Sequence, residues 1–174
     1  MITKDITKQS LVCFMLVMML SFSADTNAGP RPGAWTLVWS DGFNSSSTPQ
    51  HPDPNNWSYE IGYVRNHEWQ YYTNELRNAY CQDGSLHIRA LKDSPGTYPI
   101  GSYTGQDGSI SSASLVSKDK VEHQYGWLEM RARIDTRLGS WPAFWTLGAT
   151  GDWPDCGESD IMEYYQNKLL FNVL

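Results

Sequence analysis

The chain has 174 residues and a formal net charge of −6, with 40% hydrophobic, 18% charged and 13% aromatic residues. That length fits a single domain, and the aromatic-rich mix excludes a disordered chain, a collagen and a coiled coil. The acidic balance excludes a nucleic-acid groove, which needs a basic stripe, and does not suit an anionic membrane surface. The 8 Trp and 10 Tyr have two uses: filling a β core, or stacking on flat apolar faces such as sugar rings.

Lys4 and Lys8 flank the start, an apolar run from Leu11 to Leu20 follows, and small residues end the segment at Ala28. A charged start, a short apolar stretch and a small-residue exit describe a secretory signal peptide over residues 1–28. The run is shorter than the roughly twenty apolar residues a spanning helix wants, so an exported chain is expected, extracellular or periplasmic. Cys13 leaves with that segment, so Cys81 and Cys156 are the cysteines of the mature chain. Export would permit a disulfide between them, and their spacing leaves the pairing open. No Cys-x-x-Cys or His-Glu-x-x-His occurs, so neither a zinc ribbon nor a zincin is supported.

The mature chain reads with period two, broken at short intervals by turn residues. Trp35–Trp39 is a first expected strand, ended by Asp41-Gly42, and residues 44–56 form a loop of Ser, Pro, Asn and Asp. Ser85–Leu91 alternates after the Asp83-Gly84 turn, and 93–108 reads as a long exposed loop. Tyr125–Ile134 alternates best, with Leu128, Met130, Ala132 and Ile134 on one face and Trp127, Glu129, Arg131 and Arg133 on the other. Many short strands without a helical period predict an all-β sandwich or barrel.

The densest acidic cluster is Asp155 to Tyr165. In a plain strand Glu158 and Asp160 share a face, and Glu163 points to the other. One β-bulge between Asp160 and Glu163 returns Glu163 to the shared face, which the apolar pair Ile161-Met162 permits. Three carboxylates in a row repel one another, so the row is either used, neutralised or simply solvated. It suits retaining glycoside hydrolysis, in which two carboxyl groups flank the scissile bond roughly 5–5.5 Å apart. Two glutamate Cα atoms about four strand rises apart lie roughly 13 Å apart, a gap that long Glu side chains over a concave sheet could close. Asp160 between them would help hold one glutamate protonated while the other stays ionised. Spacing leaves open which glutamate takes which role. Calcium is a further option, though the alternating Asp/Asn-Gly loop of calcium motifs is absent. Tryptophans close by, in Trp141-Pro142-Ala143-Phe144-Trp145 and Trp153-Pro154, favour a sugar site.

Gly157-Glu158-Ser159-Asp160-Ile161-Met162-Glu163-Tyr164-Tyr165 resembles the Glu-x-Asp-x-x-Glu signature of glycoside hydrolase family 16 in its bulged, laminarinase-type form. Gly139–Gly148, with Trp-Pro-Ala-Phe-Trp, is similar to the family's upstream segment, and Trp35–Asp41 to its opening strand. Asn66–Thr73 and Tyr125–Ala132 resemble two further family stretches, all in the family's order and together covering residues 35–172. The resemblance implies a β-jelly-roll sandwich, concanavalin A-like, with a concave cleft that cleaves β-1,3- or mixed β-1,3/1,4-glucans with retention. It places Glu158 at the nucleophile, Asp160 at the assisting carboxylate and Glu163 at the acid/base. It places Asn66, Trp141 and Trp145 along the sugar subsites. The implied partner is a β-glucan polysaccharide, taken by a monomer without a cofactor. A structural calcium known in the family is less expected here, because Gly42 stands where the family usually has Glu. Ser159 replaces the usual Ile or Leu. Family domains continue past the catalytic strand, so 29–174 is read as the N-terminal portion of a catalytic domain, incomplete at its C-terminal end. A jelly roll ending there leaves unpaired strand edges, so the chain alone is expected to be inactive or poorly folded. Two other readings remain: a glucan-binding protein on the same scaffold, which would dispense with the glutamates present here, and a sister enzyme acting on another polysaccharide.

Overall fold

The structure, a computed structural model, describes residues 36–174 and the backbone of a short strand at Val12–Met15. The rest of the expected signal segment, and Trp35, lie outside the described residues. Val12–Met15 (β1) is followed by Ser58–Glu60 (β2), Tyr71–Tyr72 (β3), Ala79–Gln82 (β4), Ser85–Ile88 (β5) and Leu91–Lys92 (β6). Then come Ile110–Ser112 (β7), Ser114–Val116 (β8), Ser140–Leu147 (β9), Glu158–Tyr165 (β10) and Lys168–Val173 (β11). There is no helix among the described residues, as the period-two pattern predicts.

The strands pair as β1-β9-β10-β11, β2-β8, β3-β7-β6 and β4-β5. Asp83-Gly84 closes β4 onto β5 with both residues at positive φ, 50° and 71°, the two-residue turn whose twist matches the strands it joins. Gln166-Asn167 does the same between β10 and β11, at 48° and 60°. The core forms where the β4-β5 hairpin meets β8: Ala79, Cys81, Leu86, Ala113 and Leu115 are buried with Phe43 and Trp57. Phe144 and Trp145 of β9 pack against this cluster and so tie the long sheet to it. Cys81 and Cys156 are both free thiols, so no bridge joins them. Burial, with a smaller push from the Asp41 charge, raises the Cys81 thiol to about 12, so it behaves as a core residue.

Two expected strands are not formed. Residues 36–40 carry no ladder, and Leu37 and Val38 are exposed. Trp39 instead packs edge-on against Trp57, with ring centroids 6.0 Å apart. Asp41 anchors the segment by accepting hydrogen bonds from Phe43 N, Trp57 Nε1 and Asn56 Nδ2. Tyr125–Ile134 likewise forms no strand, and Tyr125, Trp127 and Leu128 are exposed. Alternation is a pattern that a strand needs, but a strand exists only where a neighbour supplies its hydrogen bonds. The edge of β9 away from β10 is taken by β1, in parallel register from Val12↔Ser140 to Met15↔Ala143. β1 falls within residues 1–28, the segment read from the sequence as a secretory signal. Residues 93–108 form the expected loop, yet Gln106 within it is buried, donating from Nε2 to the Glu68 carbonyl at 2.8 Å.

Candidate active site: a carboxylate row on β10

The register of β10 slips against both neighbours just after Asp160. Against β9 the partners are Asp160↔Trp145 and then Met162↔Phe144, and against β11 they are Asp160↔Asn172 and then Glu163↔Leu170. One extra residue is thus accommodated between Asp160 and Met162, the β-bulge the sequence permits. Directly paired residues share a face. Glu158, Asp160, Glu163 and Tyr165 therefore lie on one face with Trp141, Ala143, Trp145 and Leu147 of β9 and Lys168, Leu170 and Asn172 of β11. Met162, buried at 8% exposure, and Phe144 lie on the opposite face. Ser159, where an apolar residue was the expectation, pairs there with Thr146, whose hydroxyl donates to the Ser159 carbonyl.

Each glutamate is held by an indole. Trp141 Nε1 donates to Glu163 Oε1 at 2.9 Å, and Trp153 Nε1 donates to Glu158 Oε2 at 2.7 Å. Trp153 arrives from the loop between β9 and β10, whose base is closed by Gly148 N donating to the Gly157 carbonyl. Only glycine fits at 148, because a Cβ there would stand 2.1 Å from the Cys156 carbonyl oxygen. Asn172 Nδ2 reaches both Asp160 Oδ2 (3.2 Å) and Glu163 Oε2 (3.0 Å).

The row is electrostatically uneven. Desolvation, and then the Asp160 charge, push the Glu163 carboxyl above the ordinary glutamate range. Hydrogen bonds from Trp141 and Asn172 pull the other way, and Glu158 adds a smaller push. Asp160 is the most buried of the three, at 7% exposure. Among the described residues no group of three or more His, Cys, Asp or Glu is arranged to hold a metal ion.

The structure thus gathers Glu158, Asp160, Glu163, Trp141 and Trp145, and places Asn66 elsewhere. Asn66 lies on the β2–β3 loop, on the wall of a separate cavity of about 510 Å³ with Arg65, His67 and Tyr103. Its link to the row is its neighbour Arg65, ion-paired with Glu60 and standing 5.1 Å over the Trp145 ring. Trp141 is tilted against Tyr165 at 4.9 Å, so both tryptophans are engaged by the protein itself. The sequence marks Trp153 only as a neighbour of the cluster, without a role, and does not mark Asn172 at all. Trp153-Pro154 carried a signal in its closeness to the cluster, whereas Asn172 reaches the row only through the register of β11.

A family model described as "XgeA-like, catalytic GH16 domain" matches residues 100–172. The chain is 39% identical over 160 residues to a beta-glucanase of Rhodothermus marinus, covering 87% of this chain and 51% of that protein. It is 35% identical over 154 residues to glucan endo-1,3-beta-glucosidase A1 of Niallia circulans, covering 81% of this chain and 22% of that one. The X-ray structure of the laminarinase from Rhodothermus marinus superposes with a TM-score of 0.62 at 39% identity, over 77% of this chain and 51% of the laminarinase. The chain therefore spans about half the length, or less, of these relatives. Its all-β architecture is that of their jelly-roll sandwich, and the bulged carboxylate strand lies inside the matched region. Residues 100–172 thus match a glycoside hydrolase family 16 catalytic domain, and the chain is similar to laminarinases over about half of their length.

Proposed function

We propose that this chain carries the catalytic row of an exported, retaining endo-glycosidase that cuts internal β-1,3 linkages, or mixed β-1,3/1,4 linkages, of a glucan such as laminarin. The observation that carries the reading is the bulged strand with three carboxylates on one face, the one at Glu163 raised. Retention needs one carboxyl that keeps its proton and one that stays ionised. Glu163 is the acid/base, because a raised carboxyl is the better proton donor near neutral pH. Glu158 is the nucleophile, exposed to the sugar and held by the Trp153 indole. Asp160, buried between them, supplies the charge that favours the protonated form of Glu163. In the first step Glu158 forms a bond to the anomeric carbon while Glu163 gives its proton to the departing glycosidic oxygen. In the second step Glu163 takes a proton from water, and that water displaces Glu158. Trp141 and Trp145 border the cleft beside the scissile bond, and Asn66 extends the binding surface along the β2–β3 loop.

The test is reducing-sugar release from laminarin by the purified chain, with Glu158→Gln beside it and near-UV circular dichroism on both. Release should fall by roughly a thousandfold or more in the variant, as expected when a nucleophile is removed. Equal release from both proteins would sink the assignment. No release from a chain with fixed tertiary packing would favour the glucan-binding reading.

A further inference from the structure

The row is held on one side by an indole and on the other by an amide, and the amide touches two carboxylates at once. Asn172 Nδ2 stands 3.2 Å from Asp160 Oδ2 and 3.0 Å from Glu163 Oε2. A carboxamide nitrogen carries two hydrogens, whereas its oxygen only accepts. Opposite two carboxylates, only the nitrogen end of Asn172 can serve. We propose that Asn172 is a positioning residue: its amide donates one hydrogen bond to Asp160 and one to Glu163, fixing the spacing of the two carboxyls and, with Trp141, clamping Glu163 from both neighbouring strands. This rests on the reading of Glu163 as the acid/base.

The clamp joins two adjacent strands. Trp141 of β9 holds Oε1 of Glu163, and Asn172 of β11 holds Oε2. Asp160 and Glu163 repel when both are ionised, and a shared donor offsets that repulsion without adding charge. The titratable and charged groups on this face are Glu158, Asp160 and Tyr165 on β10 and Lys168 on β11. On β9 the face carries Trp141, Ala143, Trp145 and Leu147, none of which titrates, with Arg65 over Trp145. Asn172 is thus the one neutral donor shared by the pair among the described residues. The donated hydrogen bond favours the ionised form of Glu163, so losing it moves the Glu163 titration to higher pH.

The experiment uses the full chain with carbon-13-labelled glutamate carboxyls, the Glu163 signal being the one missing from Glu163→Gln. It compares the wild-type chain with Asn172→Ala, Asn172→Gln and the near-isosteric Asn172→Asp. Glu163 should titrate at higher pH in the alanine variant and higher still in the aspartate variant, with the glutamine variant recovering part of the shift. On laminarin, kcat should fall about tenfold and KM stay within about twofold, because a loosened acid affects the transition state more than binding. The alkaline limb of kcat/KM should move in the same direction as the titration, while the melting temperature stays put. An unmoved Glu163 titration in both the alanine and aspartate variants overturns the proposal and leaves Asn172 a surface amide. A moved titration in a wild-type background that does not hydrolyse glucan supports the clamp and overturns the hydrolase reading. Hydrolysis with an unmoved titration does the reverse.

Discussion

At Glu163, one side chain balances opposing influences. Desolvation and Asp160 favour its proton, while Trp141 and Asn172 favour its loss, and the first pair prevails. The consequence for stability follows from linkage: the folded state binds this proton more tightly than the unfolded chain does. The stabilising contribution is complete below the ordinary glutamate value of 4.5 and is lost as pH climbs through the raised folded value. Above that raised value the fold carries the cost of a half-buried carboxylate. Glu163→Gln should melt a few degrees higher than wild type at pH 7 to 8, with the difference shrinking toward pH 4. Thermal unfolding followed across that range measures it, and a constant difference at every pH would contradict the assignment. A stabilising change at a residue needed for chemistry is the mark of a functional group kept at some cost to the fold.

Parity decides where Glu163 points at the level of the strand. Glu158 and Asp160 share a face by simple alternation, and Glu163 joins them because one residue is absorbed at the bulge. Deleting Ile161 would leave Asp160 and Glu163 two residues apart, which also puts them on one face, now of a plain strand. In that variant Glu163 should still titrate above the ordinary glutamate range, and circular dichroism should retain the β signal. A Glu163 that titrates as an exposed glutamate would mean that the bulge, beyond restoring parity, is needed to lower the side chain between Trp141 and Asn172. The bulge was legible in the sequence because Ile161 and Met162 cannot both face water in a regular strand, and Met162 is indeed buried. The strand at 125–134 was misread for the complementary reason. Its alternation is clear, but alternation does not choose a partner, and a strand forms only where a neighbour supplies its hydrogen bonds.

Across the molecule, the two faces of the long sheet differ in how well they are covered. The inner face of β9 rests on the core through Phe144, and Met162 on the same face of β10 is buried, whereas on β11 that face presents Leu169, Phe171 and Val173 at 53%, 68% and 84% exposure. The far edge of β11 has no partner strand among the described residues. An apolar face beside an open strand edge is an aggregation template. The purified chain should therefore self-associate as its concentration rises, and Phe171→Lys should shift it toward monomer in sedimentation velocity without weakening the carboxylate row, which lies on the opposite face. Association unchanged by that substitution would move the sticky surface elsewhere, with the exposed 125–128 segment next in order.

The sequence alone determined the all-β class, the carboxylate strand and the shared face of Glu158 and Asp160, and permitted the bulge that brings Glu163 to that face, because these depend on local alternation and on which residues tolerate water. It also carried the family resemblance, through motifs that keep their order along the chain. Tertiary structure alone decided the asymmetry between the two glutamates, since burial and the placing of Trp141, Trp153 and Asn172 come from loops and a neighbouring strand whose register no local pattern reveals. It also separated Asn66 from the row and gave the β9 edge to β1. Side-chain chemistry is written locally, but the partner of each carboxyl is fixed only when strands from distant parts of the chain align.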